Sequence, residues 1–119
     1  VSVKARAGTL SILCLMAACT PDTPEEQQAR GALAYKAFCQ SCHEQDQGIG
    51  PRLTPAVLAT RTTAAQLFAY NRDKMLYNAG HLLTDVQYWD ITAYLLERSN
   101  LAKHEGTLRA ENADYPLVP

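Results

Sequence analysis

No cluster of lysine and arginine occurs in the chain, and 11 basic residues against 12 acidic ones leave a formal charge of −1. A phosphate backbone demands concentrated positive charge, so the sequence gives no footprint of nucleic-acid binding. No apolar run approaches the roughly 20 residues that a membrane-crossing helix needs. No stretch alternates apolar and polar residues over a useful strand length and no internal repeat is present, which leaves an all-α fold class. Four cysteines are too few for a disulfide-dense mini-protein. With 119 residues the chain fits one small domain and excludes a multidomain enzyme.

The N-terminus reads as an export address. Lys4 and Arg6 precede an apolar stretch through Leu10, Ile12, Leu13, Leu15 and Met16 that closes on Ala17-Ala18-Cys19, the three-part layout of a secretory signal. The apolar part is about 12 residues, short of a transmembrane span. Leu15-Met16-Ala17-Ala18-Cys19 resembles a bacterial lipobox, in which the cysteine is acylated and becomes the mature N-terminus. The expectation is a signal peptide over 1–18, a lipid-anchored polar tether over 19–27, and a protein held at the periplasmic side of a bacterial membrane without being inserted in it. An ordinary signal peptide cut after Ala18 or slightly later is the alternative; it leaves Cys19 as a stray thiol or removes it. Cys14 follows Leu13, which is not small, and leaves with the leader.

The folded domain is expected over 28–100, with 101–119 a tail to which no element is assigned. A first helix is predicted over 29–39, where Gly31, Tyr35 and Cys39 fall four apart on one face. Gly48-Ile49-Gly50-Pro51 breaks regular structure, giving a loop over 46–56. Thr63 with Gln66, and Thr84 with Gln87, are capping-box patterns that open a second helix reaching about Lys74 and a third carrying Tyr88, Trp89, Ile91, Ala93, Tyr94, Leu95 and Leu96. A helix apolar over so wide an arc has two surfaces to pack against. A domain of this size has a core worth only a few kcal/mol, so a metal, disulfide or cofactor is expected to help fill it.

Cys39-Gln40-Ser41-Cys42-His43 is the C-x-x-C-H sequence of c-type haem attachment. On a helical turn, two thiols three residues apart can meet the vinyl groups along one side of a porphyrin, and the adjacent imidazole reaches the iron. Three other readings use the same residues. A dithiol switch normally follows a strand, whereas here a helix leads in. A zinc site needs two further ligands, available only as His81, His104 or carboxylates. A disulfide across so short a loop adds little stability.

Over about 28–98 the sequence resembles the class I monohaem cytochromes c. Gly31 and Tyr35 resemble the positions where that family's first helix crosses its last, and Asp90-Ile91-Thr92-Ala93-Tyr94-Leu95-Leu96 resembles the last helix, with Tyr94 as the aromatic crossing partner. Gly50-Pro51-Arg52-Leu53 matches the Gly-Pro-x-Leu segment whose proline carbonyl accepts a hydrogen bond from the proximal histidine. The resemblance implies a small cytochrome c fold, three main helices around one covalent haem c held by Cys39 and Cys42, with His43 on the iron and Pro51 fixing its tautomer and rotation. Met16 leaves with the leader, so Met75 is the remaining thioether for the sixth position; a core-filling methionine is the plainer reading. His81 is the rival ligand, and His104 is expected to be a surface residue. Arg61 loosely resembles a propionate-binding arginine of the family, with Arg52 or Tyr70 as substitutes.

Two occupied axial positions leave no vacancy for a small-molecule substrate, so the expected function is one-electron transport between redox protein partners, a membrane donor and an oxidase or dehydrogenase acceptor. A haem subunit of a larger oxidoreductase is an alternative. A five-coordinate peroxidase or gas sensor is another, should Met75 not bind. Replacing Cys19 with Ala is expected to move the protein from the membrane to the soluble periplasmic fraction; continued membrane association would reject acylation.

Overall fold

Thr23 and Pro24 start the first helix by removing two of its unpaired donors. The Thr23 side chain accepts from the Glu26 backbone N–H, the Glu26 carboxylate accepts from the Thr23 N–H, and Pro24 has no N–H to satisfy. A computed structural model of the protein describes Ser2 and residues 22–119; the rest of the leader, with Cys14, Met16 and Cys19, lies outside the described residues. Helix α1 runs Pro24–Phe38, so it begins inside the segment expected to be tether. The two prolines that suggested a linker include one at a helical first turn, where proline is at home.

After α1 the chain makes a short turn, α2 (Gln40–His43), and then α3 (Pro55–Ala59), which was expected to be loop in its first residues. Here too a Thr-Pro pair starts the helix: the Thr54 side chain accepts from the Val57 N–H, and Pro55 opens the turn. Helices α4 (Ala64–Lys74) and α5 (Asp85–Arg98) are capped by Thr63 and Thr84, but the reciprocal bond of the expected capping box forms only at α5, the Gln66 side chain at α4 meeting the Thr62 hydroxyl instead. Among the described residues there is no strand, only an isolated bridge between Thr63 and Pro116.

Helix α5 is the centre of the packing, with α1 on one side and α4 on another. Gly31 makes the α1 contact possible. A Cβ there would lie 2.0 Å from the Asp90 carbonyl oxygen and 2.8 Å from Tyr94 Cβ, so only glycine lets the two backbones approach this closely. Tyr35, one turn on, then meets Tyr94 with ring centroids 5.4 Å apart. Beside the crossing, Arg30 Nε donates to Asp90 Oδ2 at 2.9 Å and Arg30 Nη1 to Asp22 Oδ1 at 2.8 Å. On the other side Phe68 of α4 stacks on Trp89 of α5. Leu58, Leu67, Ile91, Leu95 and Leu96 close the core, each such burial stabilising by about 1.5–3 kcal/mol.

The segment 101–119 is part of this core. Leu101, Leu108, Ala113 and Leu117 are buried against it. Gln27 of α1 clamps the Leu108 peptide, its Nε2 donating to the carbonyl at 3.0 Å and its Oε1 accepting from the N–H at 2.7 Å. Beyond a 3-10 turn at Ala110–Asn112 the chain passes the start of α4, where the Ala65 N–H donates to Ala113 O and the Leu117 N–H to Thr62 O. The segment was concealed in the sequence because its stabilising contacts are long-range bonds, to the Gln27 side chain and to the backbone around the start of α4, and not a periodic face. His104, expected at the surface, is partly buried with Nδ1 3.0 Å from the Tyr115 hydroxyl.

Burial holds the pKa of His104 below its ordinary 6.5, with Glu97 partly opposing. The unfolded chain therefore takes up this proton more readily than the folded one. The stabilisation is complete above pH 6.5 and is lost as the pH falls through the depressed value. Acidification below about pH 6.5 is expected to raise amide exchange selectively in 101–119. His104→Gln should flatten that dependence; an unchanged profile would remove His104 from the account.

Candidate functional site

The C-terminal end of α1 delivers Cys39 to a tight helical turn. Cys42 N–H and His43 N–H both donate to the Cys39 carbonyl at 3.2 Å, which places the two cysteines and the histidine on successive corners of one turn. Gly50 N–H donates to Cys42 O at 2.9 Å, folding the following loop back onto the turn. That loop carries Pro51, whose carbonyl lies 2.7 Å from His43 Nδ1. A carbonyl only accepts, so Nδ1 bears the hydrogen and Nε2 is left with the free lone pair. A Cβ on Gly50 would lie 2.7 Å from His43 Cε1, so glycine is required where the loop passes the ring.

Cys39, Cys42 and His43 line one wall region of a cleft that Leu53, Val57, Leu58, Leu67, Ile91 and Leu95 make chiefly apolar. Pro51, Arg61, Tyr70 and Met75 line the same cleft. Met75 is the C-cap of α4, and its N–H donates to Asn71 O at 3.2 Å. The chain then turns through Leu76, Asn78 and His81 with φ of 52°, 60° and 65°, and is tied down by His81 N–H to Arg72 O and by Leu83 N–H to the Tyr88 hydroxyl. Arg61 lies with its guanidinium carbon 3.5 Å from the Tyr70 ring centroid, so the two candidate anion donors stand together.

Other candidates are not in the cleft. His81 is exposed with Nε2 3.0 Å from Asp73 Oδ1, Arg52 is exposed and paired with Asp46, and His104 belongs to the C-terminal segment. No residue of 101–119 lines the cleft.

A charged clamp, which the sequence did not disclose, fixes the turn from outside. Glu44, next to His43, accepts from the Tyr35 hydroxyl at 3.0 Å and from Arg98 Nη1 at 2.6 Å, while the Arg98 guanidinium lies over the Tyr35 ring. The hydrogen bond from Arg98 holds the Glu44 carboxyl below its ordinary range, and burial pushes the Tyr35 hydroxyl up to about 12. Burial likewise pushes the Cys39 thiol up to about 11, with Cys42 adding to the effect. That protonated, sheltered thiol does not suit a dithiol switch, which works through a thiolate. Both thiols are free, and no group of three or more His, Cys, Asp or Glu that could hold a metal ion occurs among the described residues. The zinc reading therefore has no ligand set there.

Two further cleft residues escaped the sequence analysis. Lys74 and Asn71 both line it. Asn71 had a readable signal: it is the polar member of the buried stripe Ala64, Leu67, Phe68, Asn71 on α4, spaced at three, four and seven.

The family model for cytochrome c oxidase, cbb3-type, subunit III matches residues 26–95, from the first turns of α1 to the buried face of α5. The chain belongs to this family of monohaem c-type cytochromes. No curated protein and no solved structure matches it. The match confirms the all-α cytochrome c fold and gives the protein a haem c with its iron and a haem-based role in electron transfer. The thiols, the imidazole with its free Nε2, the thioether and the apolar lining form a donor set and a cavity that fit such a group. Cytochrome c domains are typically exported and periplasmic, and among the described residues no helix is long and apolar enough to cross a membrane. Gly50→Ala is expected to displace the His43 ring from Pro51 and to destabilise the cytochrome by about 1–3 kcal/mol, the range for overpacking, read as a lower midpoint in denaturant.

Proposed function

We propose that this cytochrome is an electron carrier in which one haem c is attached through Cys39 and Cys42, with His43 and Met75 as axial ligands. The observation that carries the reading is the 2.7 Å contact from His43 Nδ1 to the Pro51 carbonyl, which commits one ring nitrogen and leaves Nε2 as the ligand atom. Haem so held supplies a one-electron change between ferric and ferrous iron.

The chain's own residues determine the rest. Pro51 raises the basicity of the imidazole by accepting its hydrogen. The Tyr35–Glu44–Arg98 clamp keeps the attachment turn against α1 and α5, limiting movement when the charge of the site changes. Met75 is supported by its position in the cleft, and the exposure of His81 with its Asp73 partner argues against the rival ligand. Arg61 and Tyr70, with Lys74 near them, are suited to neutralise the propionates. The partners of such a carrier are redox proteins, and Cys19 would hold it to the membrane by acylation. The matched family's description favours a second reading, in which the chain is the haem-bearing subunit of a terminal oxidase; co-purification with oxidase subunits would distinguish it from the free carrier.

Protein made in a host that matures c-type cytochromes should stain for haem on a denaturing gel and give a pyridine haemochrome of a c-type haem. Colourless protein with both thiols open to alkylation would end the attachment reading. Met75→Ala should abolish the weak near-infrared charge-transfer band of the ferric form and lower the potential, because loss of a thioether ligand disfavours ferrous iron; an unchanged band rejects Met75 as ligand.

A further inference from the structure

The family match ends at residue 95 and none of residues 101–119 lines the cleft, yet this segment is fastened along its length. On α1, the Gln27 side chain holds both the N–H and the carbonyl of Leu108. On α4, Ala64 N–H donates to Tyr115 O at 3.3 Å and Ala65 N–H to Ala113 O at 3.0 Å. These belong to the first turn of the helix, whose N–H groups find no acceptor within it. Leu117 N–H donates to Thr62 O at 2.8 Å, Thr63 bridges to Pro116, and Ala64, Ala113 and Leu117 are buried. Helices α1 and α4 both pack on α5, and the segment runs from one to the other.

The element fastened in this way carries one side of the cleft. Leu67, Tyr70, Asn71 and Met75 line it from α4 or its C-cap, and Arg61 lines it one residue before Thr62. The stack of Phe68 on Trp89 holds α4 to α5. A rigid helix held there acts as a lever: Ala64 lies about 6 Å of helix rise to one side of Phe68 and Met75 about 10 Å to the other. A displacement at the strapped end is therefore enlarged at the thioether. The turn beyond Met75 travels with α4, because His81 N–H donates to Arg72 O at 2.9 Å, and it rejoins α5 where Leu83 N–H meets the Tyr88 hydroxyl. The lever is opposed by the bond from Asn71 Nδ2 to Thr92 Oγ1 at 3.2 Å, the one side-chain hydrogen bond between α4 and α5 among the described residues. A bond of this kind contributes about 1 kcal/mol.

We propose that the C-terminal segment is a strap that keeps the α4 side of the cleft closed, and that its release opens the position opposite His43 to a small neutral nitrogen ligand of the imidazole class. This rests on His43 and Met75 being the axial ligands. With the strap in place, the two α4 N–H bonds and the buried Leu117 hold the lever, and an incoming ligand meets only the small open fraction. Apparent affinity scales with that fraction, so loosening the strap raises it without altering any residue that lines the cleft.

The test uses haem-loaded ferric protein with imidazole as the probe. It compares the full chain with a chain ending at Arg109, which keeps the Gln27 clamp and lacks the ties at Ala113, Tyr115 and Leu117. Loss of the near-infrared band should occur at about tenfold lower imidazole in the shortened chain, the order expected when one or two net hydrogen bonds are removed. Amide exchange should rise over 64–74 and stay at the full-chain level over 24–38. Equal imidazole affinity overturns the proposal, as does a rise of exchange in α1 as large as that in α4, which marks general loosening. Should the shortened chain not load haem, Leu117→Ala in the full-length chain is measured instead: tighter imidazole binding supports the proposal and the wild-type affinity overturns it. Met75→Ala separates the two levels. If it loses the band while the shortened chain binds imidazole as the full chain does, the strap alone falls; if it keeps the band, the ligand reading falls and the strap proposal with it.

Discussion

The close approach of α1 to α5 at Gly31 is the constraint on which the other parts depend. With the Gly31 position against the Asp90 backbone, the two helices cross at a fixed point, and Tyr35 is carried one turn further to Tyr94, Glu44 and Arg98. Those contacts hold the end of α1 and the α2 turn together, so the direction in which Cys39, Cys42 and His43 face follows from a glycine eight residues before the first thiol. A larger residue there would separate the helices and release the clamp as well as the crossing. Burial of apolar side chains stabilises the bundle, but it is this backbone contact that gives the bundle one geometry.

The cleft has two sides of different construction. The cysteine side is rigid by its local backbone: three residues of one turn, a loop folded back by Gly50, and an imidazole pinned by a carbonyl. The Met75 side is rigid by hydrogen bonding. It follows the last turn of α4 and continues into a segment with three left-handed, non-glycine residues, held at its far end by the Tyr88 hydroxyl. Each such residue costs on the order of 1 kcal/mol or more unless the surroundings enforce it, and Tyr88, itself buried on α5, is part of that enforcement. The two sides meet through α5, which contributes Ile91 and Leu95 to the lining and Thr92 to the support of Asn71.

Much of this was legible in the sequence because the decisive features are local. C-x-x-C-H, Gly50-Pro51 and the Thr caps of α4 and α5 are short patterns with one physical meaning each, and the last helix declares itself by its wide apolar arc. The start of α1 was misread because composition over 20–28 is polar: its stability comes from a capping box and from Gln27 and Arg30 contacts far along the chain. The same holds for the C-terminal segment. Leu101, Leu108 and Leu117 are spaced too irregularly to mark a helix, and the bonds that fix them, to Leu96 O, the Gln27 side chain and Thr62 O, leave no sequence signature. At the site, elimination and the family resemblance could name Met75 and Arg61 but could not tell a cleft position from a surface one, which is why Lys74 went unnoticed and Arg52 and His81 were weighed. The Glu44–Arg98 pair spans more than half the domain, beyond any local pattern.

The C-terminal segment fastens to the start of α1 through Gln27 and to the start of α4 through Thr62 and Ala65, and contributes nothing to the cleft lining. Val118 and Pro119 are exposed beyond the last of these ties. Additional polypeptide joined there would continue from exposed residues that take no part in the cleft lining. Such an arrangement lets the unit be strung in tandem or grafted onto a carrier domain, with fusion length and composition free to vary while the wiring inside stays as it is.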